Sequence, residues 1–434
     1  MRAMPSSDLT FPRIDPDLAA TLMASGLTPL RLRDATVLPL VQGGMGVGIS
    51  AHSLAGSVAA QGGVGTISSV DLRRLHPDLM KRTLGLRGEV AKTEINTANL
   101  EALEREIAAA RALANGRGLL AINVMRAVGE YAPSVTKALE CGIDAVVVGA
   151  GLPLDLPELA QDHPQAMLVP ILSDARGVAL VLKKWERRKR VPDAIVIENP
   201  SVAGGHLGAA KVADLHDARF EFETVIPQTL AALRAAGIER EVPVIAAGGV
   251  RSFADIARLQ ALGAAAVQLG TPFAVTIEGD AAPAFKRVLA EAKDEDLVEF
   301  TSVAGLPARA VATPWLKAYL RSVDKLQAQA HAKRCQLEFD CLAQCGLRDG
   351  NPAWGQFCID THLAAALRGE VNRGLFFRGV GALPFGAEIR SVRELMQRLL
   401  TAPPEAQAAL AAIAASSLAG QLADPVPAGA GPAP

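Results

Sequence analysis

Short runs of Val, Ile, Leu and Ala recur at residues 37–42, 65–68, 119–124, 145–149, 167–172, 194–198, 242–246 and 266–270. Most are continuous rather than alternating, the pattern of parallel strands covered on both faces. Between them apolar positions fall at helical spacing, as at 100–115, 174–188, 229–236 and 255–262. Strand followed by helix, repeated eight times over about 240 residues, predicts an α/β fold of the (β/α)₈ TIM-barrel type, whose usual size is roughly 250 residues. A doubly wound open sheet has the same alternation. Several runs, however, end in small residues, namely Gly43-Gly44, Ser68-Ser69, Gly248-Gly249 and Gly270-Thr271. Such ends suit a ligand lying across the C-terminal face of a barrel. Gly62-Gly63-Val64-Gly65 reads as close helix–strand packing at the second run.

The expected organisation is an N-terminal segment at 1–30, the barrel at 31–310 and a mainly helical, cysteine-containing extension at 311–401. Within that extension helices are expected at 315–336 and 392–400, and the Ala/Pro-rich tail at 402–434 is expected to be disordered. Half of the 434 residues are apolar and 21% are charged, ample for a buried core. The formal net charge of −1 and an aromatic content of 4% give neither a field nor a stacking surface for nucleic acid. The first residues lack the apolar stretch of a secretory signal, and no run reaches the roughly 18 apolar residues that span a bilayer. A cytoplasmic protein without a membrane or nucleic-acid partner is therefore expected. A homodimer is compatible with the sequence, which does not fix the oligomeric state.

Three glycine-rich segments carry candidate chemistry. Gln42-Gly43-Gly44-Met45-Gly46-Val47-Gly48 follows the first strand, and its glycines would let backbone approach a flat ligand. It matches neither the dinucleotide fingerprint nor a Walker A loop, and a plain flexible turn is the alternative. Ala247-Gly248-Gly249 and Gln268-Leu269-Gly270-Thr271 end strands seven and eight, where barrels commonly bind phosphate. Small residues needed only for packing would look the same singly, but less so as a pair. In the third segment, Glu198 to Gly208, one of seven histidines, His206, sits among glycines after strand six. Imidazole there suits proton handling near neutral pH, although an isolated histidine is more often structural.

Together these residues resemble the nitronate monooxygenases, formerly called 2-nitropropane dioxygenases. That family shares a flavin-binding barrel with a class of enoyl-acyl-carrier-protein reductases and with NADH:quinone reductases. The resemblance runs from about Leu38 to Pro307. It rests on Gln42-Gly43-Gly44-Met45, Ala203-Gly204-Gly205-His206-Leu207-Gly208, Ala246-Ala247-Gly248-Gly249-Val250 and Gln268-Leu269-Gly270-Thr271. It implies an FMN-dependent oxidoreductase in which Gly44, Met45, Asn123 and either Glu198 or Asn199 meet the isoalloxazine. Gly204, Gly248, Gly249, Gln268, Gly270 and Thr271 would hold the ring, ribityl chain and phosphate, and His206 would be catalytic. The segment before Ala203 is one residue longer than a common form of the pattern, which leaves Glu198 and Asn199 as alternatives. Pro272 stands where an arginine is common. The implied reaction takes a small anionic nitronate, which gives an electron to the flavin, and O2, and yields a carbonyl compound and nitrite. An NAD(P)H-dependent reductase acting on an enoyl thioester or a quinone is the second reading, and a non-catalytic flavin or phosphate binder the third.

Four of the five cysteines crowd into one segment as Cys335-x₅-Cys341-x₃-Cys345-x₁₂-Cys358. In a cytoplasmic chain such a group points to metal or redox chemistry before disulfides. An iron–sulfur cluster, a Cys₄ zinc site and unligated thiols are all open, since none of these spacings is a CxxC.

Overall fold

The computed structural model describes residues 11–332 and 335–405. Its centre is a closed barrel of eight parallel strands: Leu40–Gln42, Val64–Ser68, Leu119–Met125, Ala145–Gly149, Met167–Leu172, Ile195–Glu198, Val244–Ala247 and Ala266–Leu269. The eighth strand pairs back onto the first, with Val267 beside Leu40. Every run expected to be a strand contributes one, with ends moved by a few residues. The largest shift is at the first. Pro39 has no N–H to give a ladder, and residues before it form a separate hairpin, Leu30–Leu32 against Ala35–Val37.

That hairpin decides which end of the barrel is open. Leu30, Leu32 and Val37 pack with Val41, Val64, Leu119, Met167 and Ala266 in one buried cluster. The hairpin thus plugs the end where the strands begin, leaving the C-terminal mouth for a ligand. Gln42, at the last position of strand one, is wholly buried, and its side chain accepts from the Thr66 N–H at 2.8 Å and donates to the Thr66 carbonyl at 3.0 Å. It bolts strand one to strand two. Outside, helices seat closely on the strands. A Cβ on Gly65 would lie 1.9 Å from the Ala55 carbonyl oxygen of helix His52–Ala60, so any side chain there would push the helix off the barrel. Asp174 caps Ala175–Glu186, and Ser252 and Asp255 form a reciprocal capping box on Phe253–Ala261, fixing where each helix starts.

Beyond strand eight the chain does not leave the barrel. Leu297–Thr301 and Pro307–Val311 form an antiparallel pair, and Pro307–Val311 also pairs with Gly205–His206 from the loop after strand six. The helix expected at 315–336 is shorter, Pro314–Ala328. Farther along, Gly350 packs against the stretch after that helix, where a Cβ would lie 2.4 Å from the Ala332 nitrogen. Helices Ile359–Leu367 and Val392–Leu400 follow. The last buries Leu395, Met396 and Leu399 in the main core, returning the chain to the barrel wall. The tail expected to be disordered falls almost wholly on residues 406–434, outside the described part.

Candidate active-site cavity

A cavity of about 500 Å³ opens at the mouth of the barrel, within the usual range for small-molecule sites. Gly44, Met45, Asn123, Glu198, Gly204, His206, Gly248, Gly249, Gln268, Gly270 and Thr271 all line it. Residues from strand ends one, three, six, seven and eight are therefore brought to one space. Asn199 is not among its walls: it is buried, and its side chain accepts from the Ser201 N–H at 2.9 Å in a local turn. Of the two alternatives at that step, Glu198 faces the cavity.

The wall above strands seven and eight is backbone. Gly248 and Gly249 adopt φ of 102° and 72°, a region closed to most side chains. A Cβ on Gly249 would also lie 2.9 Å from Val202. Opposite these glycines comes a stretch that sequence reasoning missed, Phe377 to Gly381. The Thr271 hydroxyl accepts from the Gly379 N–H at 3.1 Å, tying it to the end of strand eight. Arg378 is buried and donates to the carbonyls of Leu289, Gly379 and Gly381. Arg251 donates to the Gly249 carbonyl at 3.0 Å and fills the space a Cβ on Gly381 would need. Both arginines line the cavity. Burial, and then the neighbouring positive charge of Arg251, lowers the pKa of Arg378, against the pull of Asp294. Two nearby guanidiniums and a glycine-lined wall form a place that favours an anion.

His206 is held on a strand, not on a free loop. Its backbone pairs with Ala308, and Arg309, 1% exposed, donates to the carbonyls of Ser201 and Ala203 behind it and to Glu299. The imidazole Nε2 lies 2.8 Å from the Ser302 hydroxyl oxygen, which also accepts from the Ala304 N–H at 3.1 Å. The Phe377 ring tilts against the imidazole with centroids 5.4 Å apart. Surrounded by protein and facing only the cavity, the imidazole is pushed down to about 4 by burial. Burial acts in the opposite sense on Glu198, raising it to about 7 in spite of the Arg309 charge. Near pH 7 both groups therefore have substantial neutral populations, an arrangement typical of reaction sites.

Above strands two and three the extension builds the wall. Val128 bridges to Leu342, and Ala343 donates to the Ala127 carbonyl. Gly129 fits so closely that a Cβ would lie 2.1 Å from the Asp340 carbonyl oxygen. Asp360 lines the cavity, 2% exposed, and binds Arg74, which also binds Asp71. Burial and the nearby Asp71 charge raise the pKa of Asp360. Of the four clustered cysteines only Cys341 reaches the cavity. All are free thiols. Burial, with the charges of Asp360 and the other three cysteines adding to it, drives the Cys341 thiol well above its ordinary range. Among the described residues no three His, Cys, Asp or Glu side chains are grouped to hold one metal ion. The thiols are thus not arranged as the zinc site that the sequence left open. No helix among the described residues is long and apolar enough to cross a membrane.

A family model described as nitronate monooxygenase matches residues 31–402. A probable nitronate monooxygenase of Bacillus subtilis is 26% identical over 284 residues, covering 64% of this chain and 78% of that protein. One of Staphylococcus saprophyticus is 25% identical over 185 residues, covering 42% of this chain and 48% of that protein. Among solved structures, nitroalkane oxidase from Streptomyces ansochromogenes superimposes with a TM-score of 0.60 at 19% identity, covering 90% of this chain and 99% of that one. FabK from Thermotoga maritima gives 0.59 at 19% identity, covering 87% and 95%. At such identity the superpositions speak for the fold.

Proposed function

Since the chain belongs to the nitronate monooxygenase family and is an oxidoreductase, we propose that it binds FMN in the mouth of the barrel and oxidises alkyl nitronates with O2 to carbonyl compounds and nitrite. The observation that carries this reading is convergence: backbone-lined rims of strands one, six, seven and eight share one cavity with His206.

The residues present fit the cofactor. Gly248, Gly249, Gly270 and Thr271 would receive the phosphate, with Arg251 and Arg378 as counter-charge. Arg251, on the loop after strand seven, would thereby supply a cation beside the loop after strand eight, where Pro272 stands in place of the arginine of the family pattern. Gly44, Met45, Asn123, Glu198, Gly204 and Gln268 would surround the ring and ribityl chain. When bound, the flavin supplies the electron-accepting chemistry that no side chain offers.

The protein's own part is to bind, orient and manage protons. The Ser302 hydroxyl, already accepting from Ala304, has its hydrogen to give to Nε2 of a neutral imidazole, which leaves Nδ1 to bear the ring proton. Nδ1–H then hydrogen-bonds a nitro oxygen and orients the nitronate. With a neutral nitroalkane, the same ring in its other tautomer would take the α-proton. Glu198, raised to about 7 and so increasingly protonated as pH falls below that value, would in its neutral form donate to a polar edge in the cavity without placing a second negative charge beside an anionic substrate.

The deciding experiment is stopped-flow mixing of the FMN-loaded protein with a nitronate, and separately with NADH or NADPH. Nitronate should bleach the flavin anaerobically, and O2 should restore it with one carbonyl product per nitrite. Rapid bleaching by a reduced nicotinamide, with none by nitronate, would replace this reading with a reductase acting on an enoyl thioester or quinone. Protein that ignores added FMN would remove both.

A further inference from the structure

We propose that the cavity has a side lobe over the ends of strands four and five that receives the apolar substituent of the substrate, so that nitronates with chains of several carbons are preferred to the smallest ones. The inference rests on the proposed function for the headgroup, and the experiment below scores the two separately.

The order of strands round the barrel sets the direction. Strands seven and eight carry the glycine wall with Arg251, and strand six ends in Glu198 and leads to His206. On its other side strand six pairs with strand five, and strand five with strand four. A nitro group held at His206 therefore has the anion-binding wall to one side and the ends of strands four and five to the other. The junction is close, since a Cβ on Gly208 would collide with the Ser173 hydroxyl at the end of strand five.

Space on that side is made by leaving side chains out. After strand four, Gly149-Ala150-Gly151 line the cavity with nothing larger than a methyl group. Ala150 and Gly151 take φ of 54° and 129°, and the first is a left-handed conformation that a residue with a Cβ adopts only under constraint. Gly177 also lines the cavity, from the first turn of helix Ala175–Glu186, where alanine would be the better helix former. A Cβ on Gly177 would make only ordinary contacts, at 3.4 Å or more, with Asp174, Leu172 and Leu152. Packing does not demand a glycine there; an open lobe gives it a use.

The walls that remain are apolar: Leu152, Ile171, Leu172 and Leu207. Asp174 is the one charged side chain lining the cavity at these strand ends among the described residues. Its carboxylate is already engaged as the helix N-cap, accepting from the Gly177 N–H at 2.8 Å. Gly151 and Leu152 are exposed, so the lobe opens to solvent at its outer end. A hydrocarbon chain entering it would lose water along its inner carbons, whereas a chain bearing its own carboxylate would meet Asp174 and no cation.

The test uses the full chain loaded with FMN. For the nitronates of nitroethane, 1-nitrobutane and 1-nitrohexane, kcat/KM should rise about three- to fourfold per methylene, the worth of one buried CH2. The nitronate of 3-nitropropionate should show no such gain. Gly177→Leu, which fills the lobe, should bring the ratio of kcat/KM between the longest and shortest chains down toward one, with FMN affinity as in the parent. Gly177→Ala should do so in part, and thermal melts should show both variants folded. Straight-chain carboxylates, flat anions that flavin does not oxidise, give a readout independent of turnover. Acetate, butyrate and hexanoate, titrated against the flavin absorbance, should tighten by the same step and lose it in Gly177→Leu. That result without any nitronate oxidation would uphold the lobe and refute the proposed function. Nitronate oxidation indifferent to chain length would overturn the lobe and spare the function. An equal loss for every chain in Gly177→Leu would make the space an entry path, and weakened FMN would make it a seat for the flavin; either overturns the assignment.

Discussion

The two sides of the barrel mouth are built in opposite ways. Above strands seven and eight the wall is glycine backbone rimmed by Arg251 and Arg378; above strands two and three it is side chains, with Asp360 buried on Arg74 and the half-buried Cys341 next to the Val128–Leu342 bridge. One side offers fixed positive charge and amide groups to an anion. The other holds acids and thiols whose charged forms burial disfavours. A ligand with an anionic tail and an uncharged, redox-active head would lie across this gradient in one direction only. His206 and Glu198, both shifted toward neutrality, stand between the two sides.

The most severe way to break that division of labour is at its middle. His206→Ala should leave FMN bound, because the phosphate side is untouched, and lower nitronate turnover by about 10²–10⁴-fold, the usual worth of a positioned proton-handling group. Turnover within a few-fold of the parent, with full flavin content, would show that the imidazole is structural.

The next largest effect separates cofactor binding from chemistry. Arg251→Met should weaken FMN about 10–100-fold, as expected for a lost charge-assisted hydrogen bond to phosphate. Riboflavin, which lacks the phosphate, should bind both proteins alike in fluorescence titration. The rate constant of enzyme saturated with FMN should barely move. If riboflavin loses affinity in parallel, Arg251 shapes the loop instead of answering the phosphate.

The same contrast explains what could be seen in the chain beforehand. Barrel strands announce themselves because eight apolar runs must each be covered on both faces, and the glycines at their ends are local facts. The His206 segment was visible for the same reason. By contrast, Asp360 meets Arg74 from 286 residues away, and Ser302 meets His206 from 96 away. Neither side chain has a local pattern that separates it from an ordinary polar residue. Gln42 shows the converse error of local reading: it belongs to the recognisable glycine motif, yet its amide is spent on Thr66. Arg378-Gly379-Val380-Gly381 carried a faint signal, a glycine pair beside arginine. Only the fold shows that it closes the cavity.

Glu198 gives a smaller effect, read in pH. Above about 7 it becomes charged, so the nitronate KM should rise several-fold through that pH, by the order of a single unfavourable charge contact. His206, pushed down to about 4, stays neutral through that range and adds its own limb only near pH 4. Glu198→Gln should flatten the profile. The sign for stability follows from the same shift. A carboxyl whose folded pKa is raised binds more protons folded than unfolded between its model value of 4.5 and about 7. Its contribution to stability is therefore fully present below the unfolded value and is lost as pH rises toward 7. Glu198→Gln should accordingly be the more stable protein near pH 8 in thermal melts, with the difference shrinking below pH 5.

Ser302 should give the smallest effect and the finest cut. It is wholly buried and touches the imidazole, not the cavity. Ser302→Ala removes the partner of Nε2 and frees the ring to choose its tautomer, so kcat should fall about fivefold, the worth of one ordinary hydrogen bond. The nitronate KM should shift little, because Nδ1–H remains available in a fraction of molecules. The acid limb should move as well: without a donor to its neutral form, the imidazole takes up a proton more readily, so the limb rises from near 4 toward the ordinary histidine value. A structural role alone, in which the stranded Ala304 N–H loosens the loop, would lower flavin affinity and thermal stability but leave that limb in place. A raised limb with unchanged FMN affinity would place Ser302 with the proton-handling middle of the site; the opposite result would assign it to the scaffold.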